Sequence, residues 1–365
     1  MVLSGPVLRG GLLALLAAGL FGISTPLVQS FGIGLGPLTT AALLYAGAAL
    51  VGALLRRPVH AEAALVRSDA PRLLAMAFFG AMVGPVALAW GLQRTSGTSA
   101  SLMLSLEAFF TALLAWRLYH ETMDKRVWSA MALLLAGGVA LIVDQGTLGA
   151  LEVAGLLAVL LATAAWGVDN SLSRVLADKD PGQVVLYKAA LGAACTGALA
   201  WLASEPLPTA TAALALLAIG ATGYGLSLRF YLLAQRTFGA GRTGSVFSFA
   251  PFIGAAVAIA LGERSVGMLT LLGGVLMVAG VVLHLAESHG HGHQHNALEH
   301  EHAHTHDDGH HGHSHGHDPD QSHDHNTGET SPSQPAPGSH SHWHRHEPQQ
   351  HTHAHAPDAH HQHRH

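Results

Sequence analysis

Two groups of residues have the types and spacing to do chemistry. The first is a histidine run near the C-terminus, His302, His304 and His306, then Asp308, then His310, His311, His313 and His315. With one residue inserted it recurs as His351, His353, His355, Asp358, His360, His361, His363 and His365. Imidazole suits Zn, Ni, Co and Cu, and neighbouring carboxylates add oxygen ligands and favourable charge. Alternate spacing sets side chains on one side of an extended chain, so two or three can reach one divalent transition-metal ion without a preformed fold. The second group lies in apolar surroundings: Glu107, Lys188 and the stretch Trp166-Gly167-Val168-Asp169-Asn170. Ionisable groups are expensive in hydrocarbon and turn toward a bundle interior or a cavity. Glu107 and Lys188 are therefore candidate proton carriers or substrate contacts, and the alternatives are a structural ion pair or a side chain reaching the interface. Asp169 and Asn170 are candidate cavity ligands beside Trp166, or helix caps. The chain has no nucleophile–base pairing, phosphate loop or cofactor motif, so it does not read as an enzyme.

Long apolar elements must position the second group. Of 365 residues, 49% are hydrophobic and 11% charged, far below the ~25% charged of a soluble domain. The average hides a break near Glu287. Of 29 histidines, all but His60, His120 and His284 follow that break, and the tail after it carries 2 Lys+Arg against 11 Asp+Glu. With almost no aliphatic residue, the tail lacks what would order it and is expected to be disordered until metal arrives. A low-complexity expansion and a pH sensor are the other readings of its histidines. Before the break, apolar stretches near 10–29, 36–55, 72–92, 98–118, 127–144, 153–173, 183–203, 210–232, 241–261 and 266–286 each approach the ~20 residues that cross a bilayer. The expectation is an all-α integral membrane fold of about ten transmembrane helices. Cys195, the single cysteine, is expected as a small packing residue and excludes intrachain disulfides. Ser24-Thr25-Pro26 suggests an interruption in the first helix, and Tyr45 and Tyr187 read as packing residues.

Positively charged loops stay cytoplasmic. With the N-terminus inside, the inner connections hold twelve Lys and Arg and the outer ones only Arg94 and Arg264. This reads as a multi-pass protein of the cell inner membrane with both termini cytoplasmic, and an odd span count would move the tail to the other side.

An internal repeat supports ten spans. Gln93-Arg94-Thr95-Ser96-Gly97 recurs 142 residues later as Gln235-Arg236-Thr237-Phe238-Gly239, and the same offset carries Phe110 onto Phe252 and Glu121 onto Glu263. Five spans per repeat is an odd number, so the two repeats must be inverted relative to each other, with a substrate site at their interface near the midplane. The expected units are residues 1–145, 146–286 and the histidine-rich tail 287–365.

The segments Leu106-Glu107-Ala108-Phe109-Phe110 running to His120-Glu121, and Ala250-Pro251-Phe252 running to Leu261-Gly262-Glu263, resemble the EamA branch of the drug/metabolite transporter superfamily. Trp166-Gly167 opening the second half is similar to the family too, and the stretch Trp166-Gly167-Val168-Asp169-Asn170-Ser171-Leu172-Ser173-Arg174 together with the tail looks like a subgroup with histidine-rich C-termini. The resemblance covers residues 10–286 and implies secondary transport without implying a substrate. Ala108, where the family often has proline, suggests a straighter first-half helix.

Two functions follow from these residues. In one, a divalent transition metal is the substrate, with Glu107, Asp169 and Asn170 as oxygen ligands and the tail as a collector at the inner mouth. In the other, the cavity exports a small organic metabolite, and the tail is a metal- or pH-responsive regulator. No resident cofactor is required. The partners are the lipid bilayer and the small-molecule or metal-ion substrate, with no nucleic acid, and the Gly-rich helix faces leave a homodimer open.

Overall fold

The computed structural model describes residues 5–56, 63–119, 123, 125–146, 149–176, 179–238, 240–263, 266–285, 289–294, 298–304, 340–346 and 350–355. Ten apolar helical spans run through the first 285 residues. They are α1 (Gly5–Phe31), α2 (Pro37–Leu55), α3 (Ala70–Met76 continuing to Gly84–Leu92), α4 (Gly97–Met103 and Leu106–Tyr119) and α5 (Lys125–Gly146). The second five are α6 (Ala150–Leu176), α7 (Pro181–Leu202), α8 (Ala210–Ile219 continuing to Ser227–Phe238), α9 (Ala240–Phe247 and Ala250–Ala260) and α10 (Met268–Leu285). Among the described residues nine are long and apolar enough to cross a membrane, and the apolar stretch of α10 is shorter. Helices satisfy their own backbone groups, which hydrocarbon cannot do. Their starts are capped locally: the Ser99 N–H donates to Ser96 Oγ at 3.0 Å, the Gly182 N–H to Asp180 Oδ1 at 2.8 Å, and Pro37 and Pro181 sit in first turns where no N–H is needed.

The duplication is written in the irregularities. α3 widens to a π-helix over Ala77–Val83 and α8 over Gly220–Leu226, 143 positions later. α4 breaks between Met103 and Leu106, and α9 between Phe247 and Ala250, 144 positions later. In α9 the break precedes Pro251, which has no N–H to return to Phe247. The straighter α4 expected from Ala108 is not what forms: the Glu107 and Ala108 N–H groups bond three residues back, to Leu104 and Ser105. Nor is α1 interrupted at Ser24-Thr25-Pro26. It runs unbroken past Pro26, and the Ser24 hydroxyl donates to the Phe21 carbonyl at 2.6 Å.

All ten spans share one core, with Val28, Leu44, Leu88, Met103 and Leu141 from the first five packed with Leu156, Ala189, Leu216, Ala255 and Met277 from the second. Close approach between halves needs small residues: a Cβ on Gly220 would stand 1.9 Å from the Leu44 carbonyl oxygen. The outer surface is apolar, with Leu54, Trp201 and Leu214 exposed, as a lipid-facing surface should be. Cys195 lies on that exposed side rather than in the packing.

In the tail, β1 (His289–Gln294) pairs antiparallel with β4 (Gln350–His355), and β2 (Leu298–His304) with β3 (His340–His346). Alternation of His with other residues has the period of a strand. The register sets His291 opposite His353 and His302 opposite His342. His306, His310, His311, His313, His315, His360, His361, His363 and His365 lie outside the described residues, as does Glu121.

Candidate functional site

The site is built on a defect in α3. Within the π-helix the Gly84 N–H bonds back five residues to the Phe79 carbonyl. The next carbonyl, Gly80, would look to Pro85, which has no N–H to give. Two side chains take its place: the Trp166 Nε1–H of α6 donates to the Gly80 oxygen at 3.0 Å, and the Tyr45 hydroxyl of α2 donates to the same atom. Gly80 also has no Cβ because the Asp169 carboxylate occupies that space; a Cβ there would stand 2.3 Å from Asp169 Oδ2. So pinned, Asp169 pairs with the Lys188 ammonium of α7, and both side chains are almost wholly buried. A buried pair of this kind is tolerable because each charge compensates the other. At the next position of α6, the Asn170 amide donates to Glu107 Oε1 of α4.

These groups line a cavity of about 60 Å³ between the two halves. Rings form much of its wall. Phe21 of α1 meets Trp166 and Tyr224 of α8 edge-on, at 5.5 Å and 5.8 Å between centroids, and Phe247 of α9 at a tilt, at 5.4 Å. Tyr45 lies 5.5 Å from Tyr224. At 10–15 Å³ of such volume per water, the cavity holds a few waters and must widen to admit an organic solute.

The ion pair is not central in depth. The chain starts at one face of the bundle, called here the N-terminal face, which also holds the α6–α7 turn. Lys188 is seven residues into α7 and Asp169 seven residues before the end of α6, so each lies roughly 10 Å from that face at 1.5 Å per residue. At the opposite face a vestibule of about 300 Å³ is lined by Pro26, Gln29, Ser96 and Glu263. Between vestibule and cavity the backbones close up: a Cβ on Gly22 of α1 would be 2.4 Å from the Ala250 carbonyl oxygen, and one on Gly254 would be 2.9 Å from that of Gly22. Along α4, from the vestibule toward Glu107, the hydroxyls of Thr98, Ser101 and Ser105 are buried without a hydrogen-bond partner among the described residues. Thr98 and Ser101 are three residues apart on the first segment of α4, and Ser105 follows in the break before Leu106.

Two carboxylates of the second half tie down helices of the first at this opposite face. Glu205 accepts from the Leu38 N–H at 3.2 Å and from the Thr39 N–H and hydroxyl at 2.7 Å each, at the start of α2. Glu263 accepts from the Thr98 N–H at 3.0 Å, at the start of α4. The inverted counterparts of the α2 tie lie on the N-terminal face, where the Asp180 N–H donates to the Ala63 carbonyl at 2.8 Å and the Leu65 N–H donates to Gln183 Oε1 at 3.2 Å.

Five residues singled out by their polarity or motif, Glu107, Trp166, Asp169, Asn170 and Lys188, therefore meet in one cavity. Asp169 and Asn170 sit inside α6, not at a cap. Tyr45, read as packing, belongs to the site, whereas Tyr187 faces outward. Sequence reasoning missed Gly80, Phe21, Tyr224 and Glu205. The Gly84-Pro85 pair inside an apolar span was the available signal for Gly80, since a proline there must leave a carbonyl over.

The EamA-like transporter family matches residues 8–143 and 153–286, one copy on each half. An uncharacterized transporter of Methanothermobacter thermautotrophicus is similar over 240 residues, with 26% identity, covering 63% of this chain and 68% of that one. A protein of known crystal structure shares the fold at a TM-score of 0.54 and 19% identity, over 77% of this chain and 95% of that one.

Proposed function

The chain belongs to the EamA-like transporter family, and we propose that its cavity carries a small organic solute across the inner membrane by alternating access. The observation that carries this is the meeting of Glu107, Trp166, Asp169, Asn170 and Lys188, drawn from both halves, in one ring-walled cavity with a polar vestibule on the far side. The unpartnered hydroxyls of Thr98, Ser101 and Ser105 support a route along α4 that is closed in this state, because buried polar groups without partners call for an explanation. Solute or water would partner them when the far side opens. Glu107 is the candidate for a coupling proton: Lys188 is engaged by Asp169, which leaves Glu107 with a neutral amide as its partner.

A divalent transition metal as the carried ion is the second reading. Among the described residues no three His, Cys, Asp or Glu side chains gather as metal ligands, and one of the two cavity carboxylates is already paired. In our reading the metal's place is the cytoplasmic tail, where His302, His304, His306, His310, His311, His313 and His315 and the repeat at His351, His353, His355, His360, His361, His363 and His365 bind Zn, Ni, Co or Cu. Binding there regulates transport to the extent that it favours one conformation over the other.

Counterflow in proteoliposomes tests the proposal, with the full chain and a chain ended at Ser288 each offered labelled amines, amino acids, Zn, Ni and Co. Exchange of an organic solute by both chains, with metal altering the rate only in the full chain, is expected. Metal exchange by both chains with no organic solute moved would reject it.

A further inference from the structure

Resting on the reading of this cavity as the substrate site, we infer that the solute is an organic cation, an alkyl- or arylammonium ion. Charge supplies the first step. Among the cavity-lining side chains are two carboxyls, Glu107 and Asp169, and one ammonium, Lys188. With both carboxyls ionised the lining carries one negative charge in excess, and the complement is a single positive charge. An anionic solute would instead have to take Lys188 from Asp169, leaving that carboxylate buried with no counter-charge.

The second step is an acceptor in waiting. Asp169 is 4% exposed and lines the cavity, yet its Oδ1 has no hydrogen-bond partner among the described residues, while Oδ2 holds Lys188. A buried carboxylate oxygen without a donor is destabilising unless something arrives to donate or to offset its charge. The third step is the wall. Phe21, Trp166, Tyr224 and Phe247 meet edge-on or tilted rather than stacked flat, at 5.4–6.5 Å between centroids. Ring faces are electron-rich, so they attract a cation whose apolar groups also bury well against them. A hydrated metal ion has no use for such a wall, and a neutral solute has no use for the excess charge.

Benzyltrimethylammonium is a suitable probe, since its charge is permanent and it crosses bilayers poorly. Its binding to the full-length protein in detergent would be compared with that of benzyl alcohol and benzoate, which keep the ring and change the charge. Saturable binding of the ammonium ion, at least ~10-fold tighter than either comparison compound, is expected from one desolvated cation–ring and charge interaction. Glu107→Gln and Tyr224→Leu should each weaken it by about that factor, and Tyr224→Phe, which keeps the ring face, should not. Elution of every variant as a single species by size exclusion separates misfolding from lost recognition. Benzoate binding that Lys188→Met abolishes would overturn the inference, as would a full-length protein that binds benzyl alcohol as well as the ammonium ion, or none of the three. Labelling of a cysteine at position 101 from the far side separates the two levels: alternating access that persists without cation binding overturns the substrate class and leaves the transport reading standing.

Discussion

Tyr45 and Trp166, one from each half of the bundle, donate their hydrogen bonds to a single acceptor, the Gly80 carbonyl that Pro85 leaves without a helical partner. The defect in α3 thus couples the two halves at the cavity floor. Gly80→Ala should push the Asp169 carboxylate away from Lys188, because the new methyl has no space. An overpacking cost of about 1–3 kcal/mol is expected, read as a lowered thermal midpoint in detergent together with weakened solute binding. An unchanged midpoint would mean that the carboxylate is not pinned as described.

Asp169 and Lys188 form a buried ion pair, so removing one partner should hurt more than removing both. Lys188→Met alone is expected to lose roughly 3–5 kcal/mol, and Asp169→Asn with Lys188→Met to recover much of it, although transport is lost in both. A double-mutant cycle in thermal stability measures the coupling, and additive losses would contradict the pairing.

Glu205 caps the start of α2 from the other half, and Glu263 caps the start of α4. Glu205→Ala should lose about 0.5–2 kcal/mol of capping at this face and shift the protein toward states open there. Faster labelling of a cysteine at position 101 than in the parent is the expected readout. Slower labelling would assign Glu205 no part in closing the face.

Truncation at Ser288 removes 26 of the chain's 29 histidines with the tail. Equilibrium dialysis should show several Zn ions bound by the full chain and fewer than one by the truncated chain. Equal binding by both would move the metal site into the bundle.

Much of the architecture was legible because hydrocarbon imposes it: ten spans, their order and the duplication follow from apolar length and from Gln93-Arg94-Thr95 recurring at Gln235-Arg236-Thr237. The polar half of the site was legible for the same reason, since Glu107, Asp169 and Lys188 stand out wherever surroundings are apolar. The ring wall was not. Phe21, Tyr45 and Tyr224 look like ordinary packing residues until the fold sets them side by side. Glu205 was equally silent, because a carboxylate in a turn says nothing about which helix it will cap 167 residues away. The course of α1 past Pro26 and the break in α4 without a proline show tertiary packing overriding local signals.

Alternating access is the central claim, and the protein offers a clean background for it, since Cys195 is its single cysteine. With Cys195→Ser, single cysteines at Ala48, beside the cavity, and at Ser101, on the closed route, would be labelled with a membrane-impermeant maleimide from each side of sealed proteoliposomes. Ala48→Cys should react from the N-terminal side and Ser101→Cys from the opposite side, with solute changing the two rates in opposite directions. Labelling of Ser101→Cys from neither side, with or without solute, would contradict the account.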